Sequence, residues 1–196
     1  GSLRGSVGYN RISRDGQSGN GGLAFDLSAS QAIGSRQAVE ASALRQVADQ
    51  TGLVGQGLRP GGDLREAAFV QGQVFEETRF SVSHRFGGER LTTSLRASVA
   101  DLDFEANFDQ SQLSASAQLA WRFRPRITGR LGGNLLRNEF DFDGRTDDQL
   151  VITAALDWDA GPRTRFRMQL GWDERQSTAG VFEYEEATVL FDVRRR

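Results

Sequence analysis

The stretch GPRTRFRMQLGWD, from Gly161 to Asp173, alternates between apolar and polar residues along most of its length. Successive side chains of a β-strand point to opposite faces, so this segment has one apolar face and one strongly charged face. A soluble sheet buries its apolar face against a second layer, whereas a membrane barrel turns that face toward lipid and its polar face toward a lumen. The remainder of the chain has to distinguish these two arrangements.

The 196 residues suffice for one sizeable domain or two small ones, and we predict a single domain over residues 1–196. The chain is 38% hydrophobic and its mean hydropathy is -0.47. It has no run near the ~20 consecutive apolar residues that a transmembrane helix needs. Barrel strands are apolar on one face only, so a low mean hydropathy is compatible with a barrel.

The charge pattern and the lack of cysteine exclude several kinds of site. The chain has no cysteine, which rules out disulfides and thiolate metal sites. Its 24 basic residues are all arginine, and its net charge of -2 gives no reason to expect a nucleic-acid partner. Because the chain begins at Gly1 without methionine, we expect a mature or truncated product.

The same alternation recurs along the whole chain and predicts an all-β, antiparallel up-and-down fold. Ten strands are predicted, at 2–12, 20–31, 36–46, 75–86, 89–103, 110–123, 126–140, 148–158, 163–173 and 181–194. Short connections with glycine or proline are predicted near 34–35, 87–88, 125 and 160–162. Longer polar connections are predicted at 13–20, 50–66, 105–109, 141–148 and 174–180, at the opposite end of the strands.

Residues 35–52 have two interpretations. Val39, Ala43, Leu44 and Val47 follow helical spacing, with Ser35 as a possible N-cap and Gly52 following the helix. A strand here preserves the up-and-down alternation of the neighbouring segments. We therefore predict a strand and keep the helix as the alternative.

Two features favour a transmembrane barrel of about ten strands, complete or part of a larger one. The predicted strands are mostly 11 to 14 residues long, which fits the roughly 9–11 residues that cross a tilted membrane. Aromatic residues also gather at strand ends, where barrels carry interfacial girdles. The predicted lipid-interface aromatics are Phe86, Trp121, Phe123, Trp158 and Trp172. The predicted lumen-lining residues are Arg79, Arg96, Arg122, Arg130, Asp157, Arg163, Arg165 and Arg167.

A family resemblance agrees with this interpretation. Its signs are Arg145, Asp147 and Asp148 before a strand, the turn from Trp121 to Pro125, and the run FEYEE at 182–186. From Val74 to Val193 the chain resembles the C-terminal part of Gram-negative outer-membrane β-barrels associated with PEP-CTERM and exopolysaccharide systems. The resemblance implies a bacterial outer-membrane location and a link to exopolysaccharide export.

Three local patterns have weak chemical interpretations. His84, the only histidine, shares the apolar face of its strand and has no identifiable orienting carboxylate, so a rim position is favoured over catalysis. The acidic stretch 141–148 lacks the spacing of a calcium loop. Gly129, Gly132 and Gly133 lie within one strand without the GK[ST] of a phosphate loop, so they predict bends or close packing.

The expected function is a non-enzymatic envelope channel, anchor or structural partner, with no cofactor and no metal. Expected partners are outer-membrane lipid and other envelope or polysaccharide-export proteins. The acidic residues Glu183, Glu185 and Glu186 lie near the loop side but indicate no ligand. The alternative is a soluble β-barrel that binds a small ligand, which would have an apolar interior and a polar exterior.

Overall fold

The computed structural model describes residues 1–14, 17–49, 74–104 and 109–195. Side chains are described for most of these residues, but not for 11–14, 17–20, 48–49, 74 and 181. The described residues form ten strands of 12 to 17 residues and one short 3-10 helix. The strands are β1 (Ser2–Arg14), β2 (Gln17–Ile33), β3 (Gln37–Asp49), β4 (Val74–Gly87), β5 (Leu91–Phe104), β6 (Gln110–Arg124), β7 (Ile127–Phe140), β8 (Arg145–Asp159), β9 (Thr164–Ser177) and β10 (Tyr184–Arg195), and the 3-10 helix is Gly180–Phe182.

Each strand pairs antiparallel with the next strand along the chain, in the order β1 to β10. This confirms the predicted up-and-down fold. β1 and β10 are the two edges of the sheet, and the described strand pairs include none between them. The sheet is therefore an open one, with the strand order of an up-and-down barrel.

Within the segment 35–52, the strand prediction is confirmed over the helix for the described residues Gln37–Asp49. β3 pairs along its length with β4, from Gln37 opposite Phe86 to Asp49 opposite Val74. The helical spacing within this segment is overridden because a strand here donates and accepts backbone hydrogen bonds on both edges. The stretch 50–66, predicted as a long connection, lies outside the described residues.

The ends of several strands differ from the prediction. The β7–β8 connection is only Asp141–Gly144, because cross-strand pairing continues to Phe140 opposite Arg145 and Gly144 closes the turn at φ 67°. Strands β1 and β2 likewise extend to Arg14 and from Gln17, so the predicted 13–20 connection shortens. β9 continues to Ser177, and β10 begins at Tyr184 because the chain turns through the 3-10 helix before it. The sequence prediction places polar residues near strand ends in loops, whereas paired strands also carry polar residues on one face.

The two ends of the sheet have distinct connections. The turn end holds the β2–β3, β4–β5, β6–β7 and β8–β9 connections, each of two to four residues. The loop end holds the connections that follow β1, β3, β5, β7 and β9. Among them, 15–16, 50–73 and 105–108 lie outside the described residues.

The strand register sorts side chains of all ten strands onto two continuous faces. The apolar face includes Leu3, Phe25, Val82, Leu135 and Phe166. The polar face carries the alternating residues, which are mostly serine, glutamine, arginine and aspartate. The segregation follows from the two-residue period of the strands, since paired residues share a face.

Burial on the two faces is the reverse of that in a soluble protein. Among the described residues, the buried charged side chains all lie on the polar face: Glu77, Arg145, Asp147, Asp157 and Arg175. Large apolar side chains on the other face are exposed, from Leu3 at 80% on β1 to Phe191 at 73% on β10. No second layer of the described chain covers the apolar face.

Candidate functional site: the polar face

A buried carboxylate joins two arginines across β7, β8 and β9. Asp157 is only 8% exposed and lies opposite Arg167 in the register. Its Oδ1 is 3.3 Å from Arg167 Nε, and its Oδ2 forms an ion pair and hydrogen bond with Arg130 Nη1. One negative charge therefore faces two positive ones, and this part of the polar face keeps an excess of positive charge.

Arg165 lies beside this cluster and has its own partner. Its Nε and Nη2 donate to Asp159 Oδ1 and Oδ2 at 2.6 and 3.3 Å. The prediction placed Arg163, Arg165 and Arg167 on one strand face. For Arg163 this prediction is wrong, because β9 begins at Thr164 and Arg163 belongs to the preceding turn.

The remaining predicted lumen residues also lie on the polar face, with different surroundings. Arg79 Nη2 is 2.6 Å from Oε1 of Glu77, which is 1% exposed and accepts a 2.8 Å hydrogen bond from Gln46. Arg96 and Arg122 form no salt bridge with any residue that the structure describes. The β5–β6 region of the polar face thus presents unneutralised guanidinium groups.

A second buried ion cluster at the loop end was not anticipated. Asp147, 2% exposed, accepts hydrogen bonds from Arg175 Nη2 at 2.6 Å and Ser177 Oγ at 2.5 Å. Arg145 Nε lies 3.4 Å from the same carboxylate, and the ring of Phe182 lies 4.5 Å from Arg145 Cζ. The cluster was missed because Arg145, Asp147 and Ser177 were assigned to loops, whereas pairing extends β8 and β9 to include them.

Hydroxyl groups form a row across the same face. Ser28, Ser42 and Ser81 are successive cross-strand partners, as are Ser98 and Ser114. The Oγ atoms of Ser42 and Ser81 are 2.7 Å apart, and so are those of Ser98 and Ser114. Because serine side chains are short, they project little from this part of the sheet, and their hydroxyl groups can hydrogen-bond to water or solutes.

A cavity of about 750 Å³ opens on the polar face near the turn end. Its lining includes Ala32 of β2, Arg85 of β4, Gln118 of β6, Arg130 of β7 and Gln169 of β9. Another cavity, of about 830 Å³, lies on the apolar face between β4 and β8, so the cavities alone do not define the curvature of the sheet. The charged side chains of the polar face are the more deeply buried, which indicates that the sheet curves around this face.

The predicted interface aromatics all lie on the opposite, apolar face. Phe86, Trp121, Phe123 and Trp158, called here the turn-end aromatics, occupy the ends of β4, β6 and β8 next to the turns. Trp121 stacks on Phe123 with ring centroids 5.1 Å apart. Trp172 lies toward the loop end, where its indole N–H donates to Glu185 Oε1 at 3.1 Å.

One glycine makes room for this aromatic pair. A Cβ atom on Gly129 would lie 2.6 Å from Cε2 of Phe123, so the ring occupies the space above the glycine. Gly132 is similarly close to its neighbour, because a Cβ there would lie 2.8 Å from Thr153 Oγ1. Close packing thus explains two of the three glycines considered in the sequence.

The other local patterns show no assembled chemical site. His84 lies on the apolar face with Nε2 3.4 Å from Gln37 Oε1. Asp143 of the β7–β8 turn accepts a hydrogen bond from the Arg145 backbone. Within the described ranges, no group of three or more His, Cys, Asp or Glu side chains is arranged to hold a metal. Among those same residues, no helix has the length and apolar character to cross a membrane.

Comparisons with known proteins show which solved structures share this fold. No family signature matches the chain, and no curated protein does. The loop L8 deletion mutant of OmpT, an outer membrane protein of Vibrio cholerae, superposes with a TM-score of 0.62 at 12% identity, over 88% of this chain and 53% of that one. The trimer form of in-vitro folded OmpT from the same organism gives a TM-score of 0.56 at 14% identity, over 96% and 61%.

These likenesses support the outer-membrane barrel class and nothing narrower. At 12 to 14% identity they show the fold alone. The chain spans little more than half the length of these barrel proteins. They do not support the narrower resemblance to exopolysaccharide-associated barrels.

Proposed function

We propose that this chain forms the wall of a non-enzymatic outer-membrane channel in a Gram-negative envelope, with its polar face toward the lumen. One observation carries the proposal: the buried charges lie on the concave face, and the exposed apolar side chains on the other. In water, an apolar surface extending over ten strands would drive aggregation. Facing lipid, the same surface is stable, and the charges face an aqueous interior.

The lumen would be lined by Arg79, Arg96, Arg122, Arg130, Asp157, Arg165 and Arg167. Their partners support this placement, since Asp157 and Asp159 neutralise only part of the positive charge. The side chains that remain uncompensated face the cavity side of the sheet. Such a lining would admit small polar solutes and favour anions over cations.

A channel is favoured over a solid anchor. A closed barrel of ten strands would be narrow and largely filled by its own side chains. This sheet instead remains open, superposes on part of a longer barrel chain, and leaves a 750 Å³ cavity beside its arginines. Those features suit a wall of a wider barrel.

The link to exopolysaccharide export is a narrower part of the same proposal. Its support is the sequence resemblance over 74–193, together with the row of serine hydroxyls on the polar face. Hydroxyl and amide groups with guanidinium groups between them can hydrogen-bond to a polar, anionic polymer. Inhibition of ion conductance by soluble acidic oligosaccharide would support this part, and unchanged conductance would contradict it.

Two measurements test the membrane and channel proposals separately. Protein folded in detergent should migrate differently on a gel with and without heating, and it should conduct ions in a planar lipid bilayer. Solubility in buffer without detergent, with no heat-modifiable band, would contradict membrane insertion and favour the soluble ligand-binding barrel. Insertion without conductance would contradict the channel and favour an anchor or structural role.

A further inference from the structure

Every connection at the turn end of the described sheet finishes with an arginine. Arg36, Arg90, Arg126 and Arg163, called here the turn-end arginines, directly precede β3, β5, β7 and β9. All four side chains are exposed, and none forms a salt bridge with a residue that the structure describes. Only one acidic residue, Glu89, lies in these four turns.

Backbone hydrogen bonds hold three of these arginines in place. Gly87 N–H donates to the carbonyl of Arg36 at 2.7 Å, and Arg122 N–H donates to that of Arg90 at 2.7 Å. Asp159 N–H donates to the carbonyl of Arg126 at 2.9 Å. Each main chain is therefore fixed to a neighbouring strand, while the guanidinium group extends from the rim.

The loop end has the opposite charge. The described loop-end connections contain acidic residues and no arginine: Asp109, Asp141, Asp143 and Glu183. Among residues whose side chains the structure describes, the apolar face also ends in acidic residues on this side, with Arg45 and Arg137 as the two arginines: Glu76, Asp101, Asp103, Glu139, Asp148, Glu174 and Glu185. Among the described residues, the turn end of the sheet therefore has a basic rim and the loop end an acidic one.

The two rims act independently on their surroundings. Trp158 at the turn end and Trp172 at the loop end are separated by about six strand residues, or ~20 Å, along β8 and β9. Salt screens charges over a Debye length of about 8–10 Å at physiological ionic strength. The acidic rim therefore leaves the field of the turn-end arginines largely intact.

The turn-end aromatics mark where this basic rim meets the lipid. Trp158 lies opposite Ile127, the residue after Arg126, and Trp121 lies opposite Leu91, the residue after Arg90. Tryptophan rings settle at the level of lipid headgroups, so the neighbouring arginines lie at headgroup depth in a membrane. Basic side chains at that depth attract anionic lipids.

From this arrangement we propose that the turn-end arginines bind anionic phospholipid headgroups, forming a selective lipid annulus around one end of the barrel. The inference rests on the proposed membrane function and adds the lipid class and the end at which it binds. The protein groups match the two parts of such a lipid. The guanidinium groups pair with phosphate oxygens, and the aromatic rings pack against the glycerol and upper acyl region.

The test measures lipid composition beside single tryptophans. The protein is reconstituted into phosphatidylcholine vesicles containing phosphatidylglycerol, in variants that keep only Trp121, Trp158 or Trp172 and carry phenylalanine at the other two positions. Quenching by headgroup-spin-labelled phosphatidylglycerol is compared with quenching by equally labelled phosphatidylcholine. Enrichment of phosphatidylglycerol, up to roughly fivefold per arginine at low salt, is expected at Trp121 and Trp158 and not at Trp172.

Matched variants show whether the enrichment depends on the turn-end arginines or on positive charge anywhere on the protein. Arg126→Gln with Arg163→Gln should abolish the enrichment at Trp158, whereas the corresponding lysine variants should retain it. Arg45→Gln with Arg137→Gln removes two positive charges at the loop end of the apolar face. This double variant should leave the phosphatidylglycerol enrichment at Trp158 unchanged. Raised salt should weaken the enrichment at Trp158.

Failure of the two proposals can be told apart. Equal quenching by both lipids at all three tryptophans, in protein that has inserted, overturns the lipid-annulus proposal. That result would favour binding of the turn-end arginines to a soluble acidic partner instead. Failure to insert into vesicles of either composition overturns the proposed membrane function itself.

Discussion

Asp157 of β8 and Arg167 of β9 face each other across the polar face, with Oδ1 and Nε 3.3 Å apart. The carboxylate is buried and also pairs with Arg130 from the other side. This three-strand arrangement places a single negative charge under two positive ones. It couples the stability of the sheet to the charge of its concave face.

Replacement of this shared carboxylate should affect both stability and selectivity. Asp157→Asn removes the negative charge that neutralises Arg130 and Arg167, and the buried residue loses its charge-assisted contacts with these two half-exposed guanidinium groups. We expect a loss of about 2–3 kcal/mol in the free energy of unfolding, measured by urea denaturation in detergent. Asp192→Asn, which breaks an exposed pair with Arg194, should cost less than about 1 kcal/mol. Equal effects of the two variants would contradict the structural role of Asp157.

The loop-end cluster around Asp147 should be a second point of stability. Asp147→Asn weakens the contacts with Arg175, Ser177 and Arg145, and breaking a buried ion pair costs about 3–5 kcal/mol. Unfolding followed by gel mobility should show a lower urea midpoint. The neighbouring Asp148→Asn is the control, because Asp148 points to the other face and is mostly exposed. A large effect at Asp148 with none at Asp147 would reverse the assignment of faces.

Two glycines of β7 should respond differently to the same substitution. Gly129→Ala places a Cβ 2.6 Å from the Phe123 ring, which must move off its stack with Trp121. Crowding of this kind costs about 1–3 kcal/mol, and it should change the fluorescence of Trp121. Gly133→Ala has no atom within 4 Å of the added Cβ and should be nearly neutral. Gly129→Ala should also cost less in a Phe123→Ala background, because the clash is then absent.

The unpaired arginines of the polar face should set ion selectivity. Arg96→Gln and Arg122→Gln remove positive charges that no described acidic side chain neutralises. Each should lower the anion-to-cation permeability ratio, on the order of twofold, as a shift of reversal potential in a bilayer with a salt gradient. Arg137→Gln is a matched control on the apolar face. An equal shift in all three variants would show that lumen position does not matter.

The alternation of residues was sufficient to predict strand number, strand order and the apolar face. Trp121, Trp158 and Phe86 could be placed on the apolar face near the strand ends because position along a strand and the two-residue period together define these features. Residues 35–52 show the limit of this approach. Their spacing suited both a helix and a strand, and pairing with β4 decided between them.

The candidate site was predictable as a face but not as a set of contacts. The sequence alone determined that Arg165 and Arg167 share the charged side of their strand, because side-chain direction follows from local backbone geometry. Only the tertiary structure decided that Arg167 pairs with Asp157, that Asp147 is enclosed by Arg175 and Ser177, and that Arg163 joins the turn-end arginines. These outcomes depend on register and on where pairing stops. Both are set by hydrogen bonding between strands that lie apart in the chain, and no local pattern records it.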